Sequence, residues 1–149
     1  MAYGAMVPDE NSVWIIGVAG GDFAAQAGNV VKAGHAIRVL HEETNGYLHS
    51  HINRSPVSLQ SGDSQREVTV YFNNDENDHW TVANISENTE KWKFRHFDGD
   101  FFLHSHNRTA VFTKHWRSDC YEVTACKDKN DDDCWILMPA EPKPVPVVS

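Results

Sequence analysis

The stretch GYLHSH at residues 46–51 returns as FFLHSH at residues 101–106, so Leu-His-Ser-His occurs twice in 149 residues. Its two histidines stand two positions apart, and in a β-strand such side chains point to the same face of the sheet. Histidines in this arrangement are either ligands of a metal ion or one structural position that a repeated fold uses twice. The residues around the two stretches distinguish these interpretations.

The whole neighbourhood of the histidines repeats with a constant offset of 55 residues and no gap. The shared pattern is His-x7-His-Ser-His-x15-Glu-Val-Thr-x10-Trp, and chance does not place so many matches in one register. The matched pairs are His41 and His96, His49 and His104, His51 and His106, Glu67 and Glu122, Val68 and Val123, Thr69 and Thr124, and Trp80 and Trp135. A metal site has no use for the Glu-Val-Thr and Trp positions, so the register favours a repeated backbone path.

A fragment of a third copy precedes these two. DENSVWII at residues 9–16 resembles DENDHWTV at residues 75–82 with an offset of 66. The three strands that would come before this fragment are missing from the pattern, and residues 1–6 are interpreted as partly a cloning remnant. The sequence therefore predicts one domain of four parts: the last strand of a first repeat with its linker at 1–33, complete repeats at 34–83 and 84–138, and a Pro-rich extended tail at 139–149.

Each complete repeat has the alternating apolar pattern and the β-branched runs of strands, separated by polar turns. AIRVLH, WKFRH, EVTVYF and EVTAC are examples of these runs. The predicted strands lie near residues 13–16, 37–41, 47–51, 67–72, 80–83, 92–96, 102–106, 122–126 and 135–138. No helix is predicted after residue 34, so the fold class is all-β.

Composition excludes several classes of partner. The formal net charge is −8, whereas proteins that bind nucleic acid carry a basic patch. The longest apolar run, VWIIGVAGG at residues 13–21, is about half of the roughly 18–20 residues that cross a bilayer. We therefore expect neither nucleic-acid binding nor direct membrane contact within this chain.

Two further features leave alternatives open. Cys120, Cys126 and Cys134 include no CxxC pair, so either Cys126 and Cys134 form a disulfide or all three remain thiols. The acidic run DKNDDD that begins at Asp128 is compatible with an irregular calcium site, but it lacks the Gly and Glu of an EF-hand loop and is more typical of a solvated turn.

The repeat resembles the MIR motif, which is shared by protein O-mannosyltransferases, inositol trisphosphate receptors, ryanodine receptors and small SDF-like proteins of the endoplasmic reticulum. The resemblance extends from residue 9 to residue 137. It rests on Arg38, His41, residues 47–51, residues 67–69 and Trp80 in one copy, and on Arg95, His96, residues 103–106, residues 122–124 and Trp135 in the other. The resemblance implies a β-trefoil of MIR repeats, of which the first is incomplete.

Within this family the chain is most similar to the MIR domain of protein O-mannosyltransferases. Trp116 precedes Glu122 as Trp-x5-Glu-Val-Thr, and a long spacer separates Trp14 from His41. The resemblance implies a non-catalytic luminal module of a membrane-embedded dolichyl-phosphate-mannose-protein O-mannosyltransferase. Such a module binds carbohydrate, contacting glycan or acceptor protein in the lumen of the endoplasmic reticulum. The alternative is a stand-alone SDF-like protein associated with chaperones in the same compartment.

The predicted roles of individual residues follow from the register. No catalytic residue, metal ligand or cofactor is expected, because a repeated fold places the two His-x-His pairs on different lobes. Twelve positions are assigned to the motif and its structure: Arg38, His41, Leu48, His49, Ser50 and Trp80, with Arg95, His96, Leu103, His104, Ser105 and Trp135. A ligand is expected beside His51 with Arg54 and beside His106 with Arg108, since a cation follows each histidine by two or three residues. We expect this second histidine of each pair to lie nearer the surface than the first.

Overall fold

The structure is a computed structural model that describes residues 2–5, 8–22, 25–56, 64–86, 91–111, 116–127 and 131–140. These residues form ten strands and three short 3₁₀ turns. The strands are β1 (Tyr3–Ala5), β2 (Trp14–Val18), β3 (Ala36–His41), β4 (Gly46–Arg54), β5 (Arg66–Tyr71), β6 (Trp80–Ser86), β7 (Lys91–His96), β8 (Phe102–Val111), β9 (Trp116–Cys126) and β10 (Trp135–Ile136). The 3₁₀ turns are Glu10–Ser12, Glu76–Asp78 and Asp131–Asp133.

The all-β class is confirmed, and each predicted strand has a counterpart in the structure. The deviations are at the ends of strands: β4, β6, β8 and β9 are longer than predicted, and β10 ends two residues early, at Ile136. The acidic run at the end of the chain lies partly outside the described residues, but its last three residues form the third 3₁₀ turn. No helix within the described segments is long and apolar enough to cross a membrane.

Seven of the strands form a closed ring of antiparallel pairs. The ring runs β3, β4, β5, β9, β8, β7, β6 and back to β3. The remaining strands attach to this ring, with β2 on β3, β10 on β7 and β1 on β9. Closure leaves few exposed edges, which is how small all-β domains avoid pairing with other chains.

The pairing register repeats with the sequence. Trp14 of β2 stands opposite His41 of β3, and Trp80 of β6 stands opposite His96 of β7. Similarly, Ile37 pairs with Trp80 and Trp92 pairs with Trp135, and the second pair lies 55 residues after the first. The duplication in the sequence is therefore a duplication of strand pairing.

β1 is a strand that the sequence did not predict. Tyr3 pairs with Glu122 of β9, just as Thr124 of β9 pairs with Glu67 of β5. The backbone N–H of Ala2 also donates to the carbonyl of Val68 at 2.7 Å, and the Ala2 side chain is buried in the core. Residues 2–5 thus take the position of a strand equivalent to β5 and β9, so the expectation that all three strands before the fragment at residues 9–16 are missing is wrong for this one.

The core is built from one apolar face of each repeat. Its fully buried side chains include Ile37, Val68, Trp80 and Val82. The indole N–H of Trp80 donates to the carbonyl of Leu48 at 3.0 Å, so this large side chain is buried with its polar atom satisfied. The equivalent Trp135 donates to the carbonyl of Leu103 at 2.9 Å but is only partly buried.

The two tryptophans provide a matched test of this burial. We expect Trp80→Phe to lower the free energy of unfolding by about 1–3 kcal/mol, because it leaves a buried carbonyl unpaired and a small cavity. Trp135→Phe removes the same hydrogen bond at a position that water reaches, so its loss is expected to be smaller. Urea unfolding of both variants measures the difference, and equal losses would contradict the assignment of Trp80 to the core.

Candidate functional site

The first histidine of each His-Ser-His stretch is bonded to a buried aspartate. His49 of β4 donates from Nδ1 to Oδ1 of Asp78 at 2.9 Å, and His104 of β8 donates from Nδ1 to Oδ1 of Asp133 at 3.0 Å. Both aspartates are fully buried and both histidines nearly so. Since a buried carboxylate without a partner is costly, each imidazole is a structural partner of its 3₁₀ turn.

The 3₁₀ turn that holds Asp78 is itself a capping box. The Asp75 carboxylate accepts from the N–H of Asn77 at 2.8 Å, and Asp78 Oδ2 accepts from the N–H of Asp75 at 3.0 Å. Asp9 and Ser12 form the same box in the first turn. Both oxygens of Asp78 are therefore engaged, one by the turn and one by His49.

The serine between the histidines joins the two strands of its hairpin. Ser50 Oγ donates to the carbonyl of Glu67 at 2.9 Å, across β4 and β5. Ser105 Oγ donates to the carbonyl of Glu122 at 3.0 Å, across β8 and β9. The serines thus tie together the two strands of each hairpin.

A second pair of histidines links each repeat to the turn before it. His41 donates from Nε2 to the carbonyl of Asn11 at 2.8 Å, and His96 donates from Nε2 to the carbonyl of Asn77 at 3.0 Å. The His41 ring contacts Trp14 at a centroid distance of 4.6 Å, and the His96 ring contacts Trp80 at 5.0 Å. These contacts connect consecutive copies.

Burial lowers the pKa of His96 below the usual 6.5, although its bond to the Asn77 carbonyl acts in the opposite direction. The charges that face it are Arg66 and His49, which also lower the pKa, and Asp98, which raises it. The N–H of Asp98 donates to His96 Nδ1 at 3.4 Å. A ring that donates from Nε2 and accepts at Nδ1 is neutral.

The two motif arginines have different surroundings. The Arg38 side chain is buried, with Cζ 4.5 Å from the centre of the Tyr47 ring. Arg95 is half-exposed, and its Nη1 lies 3.8 Å from Oδ1 of Asp100. The position equivalent to Arg38 in the next repeat is Lys93, not Arg95, so the two arginines occupy different positions of the repeat.

The predicted ligand residues lie on two separate hairpins. His51 of β4 is half-buried and accepts from the N–H of Asn53 at 3.2 Å, while Arg54 at the end of β4 is exposed. His106 of β8 lies 3.3 Å from Oε2 of the fully buried Glu122, and its side chain is only 10% exposed. His106 is therefore largely enclosed. The side chain of Arg108 lies outside the described residues.

The four histidines do not converge on one point, because His49 and His104 bond to different aspartates. Among the described residues, His49, Asp75 and Asp78 have potential ligand atoms within 4.8 Å of one another. Their nearest atoms are already joined by the hydrogen bonds of the capping box and of His49 Nδ1. These hydrogen bonds of the turn account for the positions of the three side chains.

A cleft that the sequence analysis missed lies beside β6, β7 and the start of β8. Its volume is about 430 Å³, and its lining includes Thr81, Lys93, Arg95, Asp100 and Phe102. The signal that points to it is the alternation in WKFR, which places Lys93 and Arg95 on the same face of β7. Two cations, a carboxylate, a hydroxyl and an aromatic ring therefore meet at one concave surface.

Comparison with known proteins identifies the family. The sequence model of the MIR domain matches residues 4–138. This chain is 33% identical over 141 residues to a stromal cell-derived factor 2-like protein of Arabidopsis thaliana, covering 87% of this chain and 59% of that protein. It is 30% identical over 149 residues to dolichyl-phosphate-mannose–protein mannosyltransferase 1 of Saccharomyces cerevisiae, covering 87% of this chain and 18% of that protein. The chain belongs to the MIR domain family.

Solved structures agree with this assignment. The SDF2-like protein from Arabidopsis thaliana superposes with a TM-score of 0.72 at 29% identity, covering 87% of this chain and 71% of that one. The S. cerevisiae protein O-mannosyltransferase Pmt1-Pmt2 complex bound to the sugar donor superposes with a TM-score of 0.71 at 26% identity, covering 87% of this chain and 19% of that one. The chain spans about three-fifths of the length of the curated SDF2-like relatives that it matches.

The lowered pKa of His96 predicts that stability depends on pH. The unfolded histidine takes up a proton at pH values below about 6.5, whereas the folded ring resists protonation until the pH falls to its lower pKa. The unfolded state therefore binds more protons in this window, and the free energy of unfolding should fall as the pH decreases from 7 to 5.

His96→Gln keeps an N–H for the Asn77 carbonyl and should remove part of this decrease. Urea unfolding at a series of pH values measures the slope. His79→Gln, at a half-buried neighbouring position, is the control that should keep the wild-type slope. An unchanged slope in His96→Gln would show that His96 does not carry the effect.

Proposed function

We infer that this chain is a non-catalytic ligand-binding module with the threefold architecture of a β-trefoil, and that it acts in the lumen of the endoplasmic reticulum. The ligand is a glycan or a glycan-bearing acceptor protein. The family membership and the repeated pairing register support the architecture. The polar atoms of the motif histidines and serines hold turns and hairpins together, which supports a structural role for these residues and not a catalytic one.

The cleft beside β7 is the observation that carries the binding proposal. Arg95 and Asp100 stand 3.8 Å apart at its rim, so both remain able to bond to a hydroxyl-rich ligand. A guanidinium supplies several donors and a carboxylate supplies acceptors, which together match vicinal sugar hydroxyls. The Phe102 ring adds an apolar surface, and a volume of about 430 Å³ accommodates one or two sugar residues.

The residues that the repeat pattern suggested form a second candidate site. His51 and Arg54 lie together near the end of β4, where both are at least partly accessible. His106 faces Glu122, so it is the weaker contributor. Arg108 remains a proposed ligand residue on the basis of its position two residues after His106.

Two kinds of parent protein fit the module. One is a protein O-mannosyltransferase, in which the module extends into the lumen and contacts the glycan or the acceptor. The Trp-x5-Glu-Val-Thr sequence and the similarity to the yeast enzyme favour this candidate. The other is a stand-alone SDF-like protein associated with chaperones, which the similarity to the Arabidopsis and Dictyostelium proteins favours.

Mannose, α-mannosides and O-mannosylated peptides should bind the full chain weakly and should shift the NMR signals of residues 93–102. We expect the double variant Arg95→Ala with Asp100→Ala to weaken binding about tenfold or more, equivalent to at least about 1.4 kcal/mol, since both polar contacts are lost. Glu76→Gln, at an exposed position outside the cleft, is the matched control and should bind as the wild type does.

A parallel variant, His51→Ala with Arg54→Ala, separates the two candidate sites. If it abolishes binding while the Arg95 and Asp100 variant does not, the ligand lies on the β4 hairpin and the assignment to the cleft is wrong. If no glycan shifts any signal at millimolar concentration, the binding proposal itself fails.

A further inference from the structure

The cleft beside β7 carries more positive than negative charge. Its described lining includes two cations, Lys93 and Arg95, and one carboxylate, Asp100, which together give a net charge of +1. The chain as a whole has a formal net charge of −8. A positive concave surface attracts small anions, because its low-dielectric walls focus the electric field. The binding of neutral sugar hydroxyls alone does not account for this local charge.

The two cations of the cleft lie on one face of β7. Residues two positions apart in a strand point to the same side of the sheet, and their Cα atoms lie roughly 6–7 Å apart. In the strand pairing, Arg95 stands between Thr81 of β6 and Phe102 of β8. Lys93 is partly buried in the cleft, whereas 47% of the Arg95 side chain is exposed. An anionic group that enters between them therefore meets a cation on each side.

The ion pair of Arg95 with Asp100 is loose. Nη1 of Arg95 lies 3.8 Å from Oδ1 of Asp100, and the two side chains are 47% and 69% exposed. Solvent weakens an exposed pair at this separation, so Asp100 does not occupy the guanidinium. A guanidinium can donate to two oxygens of a phosphate or a carboxylate at once, and a lysine ammonium adds a point charge beside it.

One wall of the cleft is made of small residues. The pairing of β6 with β7 shifts register between Val82 and Asn84, so Ala83, which lines the cleft, lies in a β-bulge. Bulges are frequent next to binding sites because they redirect the chain locally. Gly34 also lines the cleft, and a Cβ at this position would meet no atom within 4 Å. The wall therefore stays open to a group as large as a phosphate.

We propose that the ligand of this cleft is an acidic sugar, in which one sugar ring carries a phosphate monoester or a carboxylate group. The anionic group lies between Lys93 and Arg95 and accepts hydrogen bonds from both. Asp100 and Thr81 bond to hydroxyls of the same ring. This inference rests on the proposed function, because it specifies the class of glycan that the same cleft binds.

Titration of the full chain with mannose, mannose 6-phosphate, glucuronate and inorganic phosphate tests the proposal, with the NMR signals of residues 93–102 as the readout. We expect the acidic sugars to bind about tenfold or more tightly than mannose at low salt, because charge-assisted hydrogen bonds are added. The preference should shrink as the salt concentration rises. If only one acidic sugar shows the preference, its anionic group is the one that the cleft recognises.

A matched pair of variants assigns the preference to the cleft. Lys93→Gln removes one charge but keeps a polar side chain, so the affinity for acidic sugars should fall to that for mannose while mannose binding stays unchanged. Lys127→Gln removes the same charge from the chain at an exposed position outside the cleft lining, and it should keep the preference. An equal loss in both variants would show a general effect of net charge and would contradict the proposal.

The wild-type titrations also separate this inference from the proposed function. Equal affinity for mannose and both acidic sugars would overturn the inference and leave glycan binding intact. Inorganic phosphate that binds as tightly as mannose 6-phosphate would overturn it too, because the cleft would then recognise an anion without its sugar. If no sugar of either kind shifts a signal at millimolar concentration, the proposed function fails as well.

Discussion

The hydrogen bond from a buried imidazole to its 3₁₀ turn is the interaction on which the rest of the structure depends. His49 and Asp78, with His104 and Asp133, fix each turn against the hairpin of the same repeat. Each 3₁₀ turn is followed by a strand that begins with a tryptophan, Trp80 in one repeat and Trp135 in the other. If either turn shifted, the carboxylate of Asp78 or Asp133 would be buried without a hydrogen-bond partner. This cost holds each turn in one position.

Much of the fold was predictable from the sequence because repetition removes ambiguity. The common register of His-Ser-His, Glu-Val-Thr and Trp fixed the order and spacing of the strands in both full copies. β1 escaped prediction because residues 2–5 have no strand pattern of their own, and Ala2 takes the place of the valines at 68 and 123. Its conformation comes from pairing with β9, which is a tertiary effect.

The candidate site was less predictable. His51 and His106 match in sequence, yet His106 lies against a fully buried Glu122, whereas the equivalent Glu67 is only partly buried. The difference arises from neighbouring strands and not from the motif, so the repeat alone cannot reveal it. The cleft beside β7 forms because the chain after β7 places Asp100 and Phe102 next to Lys93 and Arg95. From the sequence, only the alternation along β7, which puts Lys93 and Arg95 on one face, could be predicted.

The central claim is that the histidines of Leu-His-Ser-His are structural and not metal ligands, and ¹⁵N NMR of the histidine rings tests it most directly. His49 and His104 should each show a protonated Nδ1 that is shielded from solvent exchange. Adding excess zinc should leave both sets of ring signals unchanged, because these nitrogens already donate to Asp78 and Asp133. Loss of the Nδ1 proton on binding one equivalent of zinc would contradict the account.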